Sequence, residues 1–236
     1  MSDYPALERQ LADTLHLLRR PVAVAFRDSA PPDVPPLSGT QPSGCSFWRL
    51  AADGRVFHTV PSDHHNCPVG SYTHNIPLPA GREGELTQVL GLMGDIGYIR
   101  LEEVPGVPRL PATPGVAIYT PLGLAPVAPD VVIVAGAPAG LMLLHEAATR
   151  AERPVLPLLG RPTCMAIPAA VSGGGVASSL GCIGNRVYTG IADDQFYTVV
   201  SGADLERIAG ELATIASANA TLADYHRERR ATLSMA

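Results

Sequence analysis

Two proline-rich stretches, residues 28–44 and 61–79, interrupt the chain and exclude a regular alternation of strands and helices. Proline lacks a backbone N–H and pushes the preceding residue away from helical geometry, so both stretches are predicted to be loops. Segments with the hydrophobic periodicity of helices and strands lie on either side of them. The chain is therefore predicted to adopt a mixed α/β fold, in the α+β sense, with a mixed sheet and flanking helices.

The same periodicity predicts where individual elements lie, within a single domain spanning residues 1–236. A chain of this length can bury a hydrophobic core without disulfides, because the buried fraction of the surface rises with chain length. Helices are predicted over residues 4–18, 46–52, 83–93, 139–150, 161–170 and 203–229. Strands are predicted over residues 22–26, 55–60, 115–120, 130–135, 155–159, 186–191 and 197–200.

Composition and charge exclude several classes of function. All 17 basic residues are arginine, so chemistry that needs a Schiff-base lysine or a phosphate-loop lysine is excluded. The net charge of -5 argues against a nucleic-acid partner or an anionic lipid surface. Residues 1–20 lack the apolar core of a signal peptide, and no apolar run approaches the roughly 20 residues of a membrane span. We therefore expect a cytoplasmic protein that binds no membrane and keeps its cysteines reduced.

The four cysteines are the strongest functional signal in the chain. They occur in SGCSFW, HHNCPVG, RPTCMAIP and LGCIGNR, beside glycine or proline in predicted loops or at predicted helix starts. Core-filling cysteines usually lie inside strands and helices, whereas helix N-termini and glycine turns offer backbone N–H groups that stabilise a thiolate. This placement favours Cys45, Cys67, Cys164 and Cys182 as metal ligands that the fold brings together.

An iron–sulfur cluster, of the 4Fe–4S type, is the favoured cofactor, and zinc is the alternative. The spacing matches neither the paired C-x2-C ligands of a zinc finger nor the closely spaced cysteines of bacterial ferredoxins. Structural zinc is most useful where a core is too small, and this chain has ample apolar sequence. With four cysteine ligands the cluster would serve electron transfer with a redox partner. With three, the open iron could act on a small molecule.

A weak internal echo relates residues 45–70 to residues 164–184. In each segment a cysteine precedes an Ala-Ala pair, a glycine and a valine follow, and a second cysteine stands in a turn that contains glycine. The echo allows two pseudo-symmetric halves that share a cysteine-lined site, although a chain rich in alanine and glycine can also produce it by chance.

Other polar residues have both a functional and a structural interpretation. His64, His65 and His74 could supply a nitrogen ligand or transfer a proton, or they could simply be solvated in their loop. Arg186 could bind a carboxylate or phosphate of a cofactor with its planar fork, or it could cap a carbonyl or pair with Asp193. No catalytic residue is assigned.

Two further function classes stay open. A metal-free thiol enzyme would use Cys67 or Cys182 as its nucleophile, with one of the loop histidines as the base. A metallochaperone would take up copper or zinc with the His-His-Asn-Cys segment. The sequence also allows a homodimer.

The order of these motifs resembles that of the ArCR family of unknown function (DUF169). The matching stretches are RPVAVAF, Cys45 followed by an alanine-containing helix and Gly54, CPVG, PDVVIVAGAPAGLMLLHEA, Cys164 and GCIGNR. The resemblance covers roughly residues 5–225. The family's biochemical role is unassigned, and its cysteine pattern implies a metal or iron–sulfur centre.

Overall fold

The computed structural model describes residues 2–234, which form a six-stranded sheet with helices on both faces. The strands are β1 (Val22–Arg27), β2 (Phe57–Thr59), β3 (Val116–Pro121), β4 (Val131–Gly136), β5 (Val176–Ser179) and β6 (Phe196–Ser201). Their order is β2-β3-β1-β4-β6-β5, and each neighbouring pair is antiparallel. The predicted α/β class with flanking helices is confirmed, whereas the predicted mixed sheet is wrong, because all five pairs of neighbouring strands are antiparallel.

Eight α-helices lie within the described residues. They are α1 (Tyr4–Leu15), α2 (Gly44–Ala52), α3 (Pro68–Thr73), α4 (Glu85–Asp95), α5 (Pro138–Arg150), α6 (Ala166–Gly173), α7 (Ile183–Thr189) and α8 (Leu205–Ser234). Helices α1, α5 and α8 share one buried cluster on one face of the sheet. Helices α2 and α6 pack into a second cluster on the other face, and this cluster includes Cys45 and Cys164.

The central strand β4 shows why the sheet needs helices on both faces. Its residues alternate between the two clusters, since Val131 and Ile133 belong to one and Val132 and Val134 to the other. All four are at most 2% exposed. A strand that is apolar on both sides must be covered on both sides, which accounts for the three-layer arrangement.

Three sequence predictions differ from the structure. Residues 155–159 form no strand and make only isolated bridges, at Val155 and Leu159. Residues 186–191 were predicted as a strand, yet most of them belong to α7, which is capped by Gly190 in the left-handed conformation. The stretch 61–79 was predicted to be wholly irregular, but it contains α3. Tertiary packing overrides the weak local propensity of such short segments.

None of the helices within residues 2–234 is both long enough and apolar enough to span a bilayer.

Candidate functional site

The cysteines lie where helices begin. Cys67 is the N-cap of α3 and Cys182 is the N-cap of α7. Cys45 is the second residue of α2, and Cys164 lies in the 3-10 turn Thr163–Met165 that leads directly into α6. The prediction that each cysteine lies in a loop or at a helix start is confirmed.

All four cysteines line one cavity of about 320 Å³. Cys45 and Cys164 are buried, whereas Cys67 and Cys182 are half-buried. None of the four forms a disulfide. The fold therefore brings together side chains that are spread over more than half of the sequence, as the sequence prediction of a shared site requires.

Hydrogen bonds hold the cysteine segments in position. The backbone N–H of Gly70 donates to Sγ of Cys67 at 3.3 Å, and the hydroxyl of Thr73 donates to Sγ of Cys164 at 3.4 Å. The N–H of Cys182 donates to the hydroxyl of Thr163 at 2.5 Å. This last bond joins the turn that carries Cys164 to the start of α7.

The thiols also lie within electrostatic range of one another. Burial raises the pKa of Cys45 well above its ordinary value, and the thiols of Cys164, Cys67 and Cys182 add to the rise. Burial likewise raises the pKa of Cys164, and the neighbouring thiols of Cys67 and Cys182 raise it further. Cys45 and Cys164 are therefore neutral thiols in the metal-free protein at pH 7. A bound metal cation would instead favour the thiolate form of these cysteines, because a metal ion deprotonates a coordinating thiol.

Asn185, in the first turn of α7, is an unusual buried side chain beside these thiols. It is 2% exposed, and it lines the cavity. Its amide lies close enough to Cys45 to lower the pKa of that thiol, and close enough to Tyr197 to oppose the rise in the pKa of that phenol. Among residues 2–234, however, neither its nitrogen nor its oxygen has a hydrogen-bond partner of normal geometry. A buried amide without partners costs about 1–3 kcal/mol, so this side chain is suited to a partner inside the cavity.

No arrangement for a single metal ion is present in the described part of the chain. Among residues 2–234, no group of three or more His, Cys, Asp or Glu side chains could hold one ion.

Two of the three candidate histidines are buried and not solvated. His64 and His74 are each 2% exposed, and their ring centroids are 5.5 Å apart. Burial lowers the pKa of both, that of His74 to about 4. The solvated alternative is wrong for these two residues, whereas His65 is half-buried.

The contacts of the two histidines leave one nitrogen of each ring free. Nε2 of His64 lies 2.8 Å from the hydroxyl of Thr59, and Nδ1 of His74 lies 3.0 Å from the carbonyl of Gly70. Among residues 2–234, the other ring nitrogen of each histidine has no hydrogen-bond partner. Neither histidine is among the residues that line the cavity.

Arg186 caps backbone carbonyls and pairs with Asp193, as the structural interpretation of this residue predicts. Its guanidinium donates to the carbonyls of Leu180 at 2.6 Å and of Gln195 and Ala192 at 3.2 Å. It also lies 3.5 Å from Asp193. The residues that line the cavity do not include it. Cofactor binding by Arg186 stays a prediction that this placement does not support.

The comparison with protein families bears on the motif order. A family model described as uncharacterised ArCR (DUF169) matches residues 10–211. The chain belongs to the ArCR family. The resemblance seen in the sequence is thereby confirmed, and the matched region contains all four cysteines and the whole cavity wall. No curated protein matches the chain, and no solved structure does.

Sequence reasoning missed three parts of the site in this ArCR chain. Thr73 and Asn185 contact the cysteines, and α4 supplies a wall of the cavity. A signal existed for Asn185, since asparagine is unfavourable inside a helix and stands three residues after Cys182 in the GCIGNR motif. No comparable signal marked Thr73, because its partner Cys164 is distant in sequence.

Proposed function

We propose that this protein binds a 4Fe–4S cluster through Cys45, Cys67, Cys164 and Cys182, for electron transfer or for chemistry on a small molecule. The observation that carries the proposal is that these four residues, from four separate elements, line one cavity. They are all the cysteines the chain has. Thiolate is the usual ligand of iron–sulfur clusters, and four free thiols suit the reducing cytoplasm.

The helix starts favour such a ligand set. A cluster with four thiolates carries net negative charge, and unpaired N–H groups at the first turns of helices stabilise negative charge. One of these groups, the N–H of Gly70, already donates to Sγ of Cys67. Hydrogen bonds of this kind to ligand sulfur are among the factors that set the reduction potential of a cluster.

A single zinc ion is a less suitable guest for this cavity than a cluster. A tetrahedral zinc site needs sulfurs roughly 3.8 Å apart, because each Zn–S bond is near 2.3 Å. No group of three candidate ligands within residues 2–234 is arranged for one ion. In a 4Fe–4S cluster each of the four cysteines would hold a different iron, so that no three of them need to meet at one ion.

The buried amide of Asn185 indicates whether the residues around the cavity fit an iron–sulfur cluster. Its two polar atoms are buried without partners beside Cys45. The N–H₂ group can donate to a cluster sulfide or to the Cys45 thiolate, either of which would satisfy it. The donor set therefore fits an anionic sulfur-rich guest. When bound by all four cysteines, that guest would supply one-electron transfer, and this chain's residues would hold it and exclude water.

The strand order supports the idea of two related halves. Outward from the centre of the sheet, one half runs β1, β3, β2 and the other runs β4, β6, β5. Each half contributes two cysteines, one from the helix before its edge strand and one from the helix after it. We infer that the echo between residues 45–70 and 164–184 reflects this arrangement, with the cluster shared between the halves.

Elemental analysis of protein purified without air tests the proposal. We expect roughly four iron and four acid-labile sulfide per chain, with broad absorbance near 400 nm. Cys164→Ser should lose most of the iron, because serine replaces a thiolate that the cluster requires. Thr120→Val is the control, since Thr120 is a buried threonine whose hydroxyl has no partner and which does not line the cavity.

Two results would contradict the proposal. One is a colourless anaerobic preparation without iron or sulfide. The other is stoichiometric, exchangeable zinc or copper without sulfide, which would favour the metallochaperone alternative.

A further inference from the structure

The cavity extends beyond the cysteines to an apolar wall. Leu86, Val89, Leu90 and Met93 of α4 line it at helical spacing. Each of the four is half-buried, and α4 has no fully buried residue. The apolar stripe of a surface helix normally packs on a core, whereas this one faces the space above the thiols. Ile99, Val104 and Val107 continue the wall.

The charged residues that line the cavity have an unbalanced positive charge. They are Arg100, Arg161 and Glu103. Nε of Arg100 donates to Glu103 at 2.9 Å, and Arg161 lies 3.6 Å from the same carboxylate. Two guanidiniums therefore share one carboxylate. The guanidinium of Arg161 also lies over the ring of Tyr98, 4.8 Å from its centroid, which restricts its orientation.

We propose that the part of the cavity between α4 and Arg161, called the chamber below, binds a small organic acid with a straight apolar chain. Its carboxylate would pair with Arg161, whose planar fork suits a carboxylate, and its chain would lie along the apolar face of α4. The inference rests on the proposed function, because it names the class of molecule on which the cluster would act. The whole cavity, cysteines included, has a volume of about 320 Å³, at the small end of known ligand sites. A cluster held by the cysteines would take up part of this volume, so the remaining space favours a short-chain acid over a larger molecule.

Calorimetric titration of anaerobically purified protein with straight-chain carboxylates, from butanoate to decanoate, tests the inference. Iron and sulfide are measured on the same sample. Affinity should rise about fourfold per methylene as long as the chain stays within the apolar wall, and then level off. Octanol should bind about tenfold more weakly than octanoate, because it lacks the charge that pairs with Arg161.

Two variants with matched controls locate the binding. Leu90→Trp should fill the chamber and abolish the chain-length dependence, whereas Leu92→Trp, on the exposed face of the same helix, should not. Arg161→Met should weaken octanoate about tenfold and leave octanol unchanged. Arg150→Met is its control. Arg150 does not line the cavity, and its guanidinium lies 2.6 Å from the carboxylate of Glu211. The arginine variant keeps the test decisive if Leu90→Trp does not fold.

The outcomes separate the two proposals. Octanoate binding that is lost in Leu90→Trp supports the chamber, whether or not iron is present, and binding without iron or sulfide overturns the cluster alone. Iron and sulfide without carboxylate binding overturn the chamber and leave the cluster standing. Equal effects of Leu90→Trp and Leu92→Trp would mean nonspecific binding and would overturn the chamber.

Discussion

The hydroxyl of Thr73 donates a hydrogen bond to Sγ of Cys164, 91 positions further along the chain. The same hydroxyl also donates to the carbonyl of Gly70 at 2.9 Å, so its single proton is shared between that carbonyl and the sulfur. Its oxygen lies 3.1 Å from Nδ1 of His74. Thr73 therefore joins α3, which begins at Cys67, to the turn that carries Cys164. A donor aimed at a ligand sulfur stabilises its negative charge, and this charge is greater when a cluster is reduced.

Thr73→Val removes this donor without changing the shape of the side chain. We expect the reduction potential of the bound cluster to fall by on the order of 40 mV, the one-electron equivalent of about 1 kcal/mol. Redox titration followed by absorbance measures it. Thr120→Val is the matched control, because that buried hydroxyl has no partner. An unchanged potential in Thr73→Val would mean that the Thr73 hydroxyl does not donate to a cluster ligand, either because its proton stays on the carbonyl of Gly70 or because Cys164 is not a ligand.

Gly70→Ala should separate cluster binding from folding. A Cβ on Gly70 would lie 2.9 Å from Sγ of Cys67, so the thiol must rotate away from its present position. Alanine is otherwise favoured over glycine in a helix by up to about 1 kcal/mol. We expect the unfolding free energy of the metal-free protein to change by no more than about 1 kcal/mol, measured in urea, while the iron content falls.

Gly210→Ala is the control for that experiment, because a Cβ at Gly210 of α8 meets no atom within 4 Å. It should keep its iron. If Gly70→Ala also retained full iron, Cys67 would not be held as a ligand in the orientation that the structure has.

Asn185→Leu should have opposite effects on the metal-free and the metal-bound protein. Removing a buried amide that lacks partners should stabilise the metal-free protein by about 1–2 kcal/mol. The cluster should lose a donor, so that iron is released faster to a chelator. Urea unfolding of the metal-free form and the rate of iron release measure the two effects. Destabilisation of the metal-free form would show that the amide has a structural partner.

The buried histidines predict a loss of stability in mild acid. His74 has a folded pKa near 4 against 6.5 in the unfolded chain, so the unfolded chain takes up a proton first as the pH falls. The neutral ring's contribution is fully present above pH 6.5 and declines towards pH 4. At pH 5 the loss from His74 alone is about 2 kcal/mol, and His64, whose pKa burial also lowers, adds to it.

His74→Leu should flatten this dependence between pH 7 and pH 5, even if it lowers stability at neutral pH by removing a buried hydrogen bond. Urea unfolding of the metal-free protein at several pH values measures the slope. His226→Gln, at an exposed position of α8, should leave the slope unchanged. A slope that survives in His74→Leu would assign the acid sensitivity to other groups.

Local signals predicted much of the fold and part of the site. The helical periodicity predicted α4 within two residues at each end, and the glycine and proline contexts predicted that the cysteines lie in loops or at helix starts. The segment 186–191 was mistaken for a strand because valine, tyrosine and threonine favour strands locally. In the structure these residues belong to a helix with its N-cap at Cys182 and its left-handed C-cap at Gly190.

The amino-acid sequence by itself determined the chemical groups that this protein can use: four thiols, no lysine, and the amphipathic segments that become helices. Only the tertiary structure decided that the thiols share a cavity, that His64 and His74 are buried, and that Asn185 lacks partners. The physical reason is that periodicity and capping depend on neighbours a few residues away. Burial and convergence depend instead on contacts between residues as distant as Thr73 and Cys164, which no local pattern records.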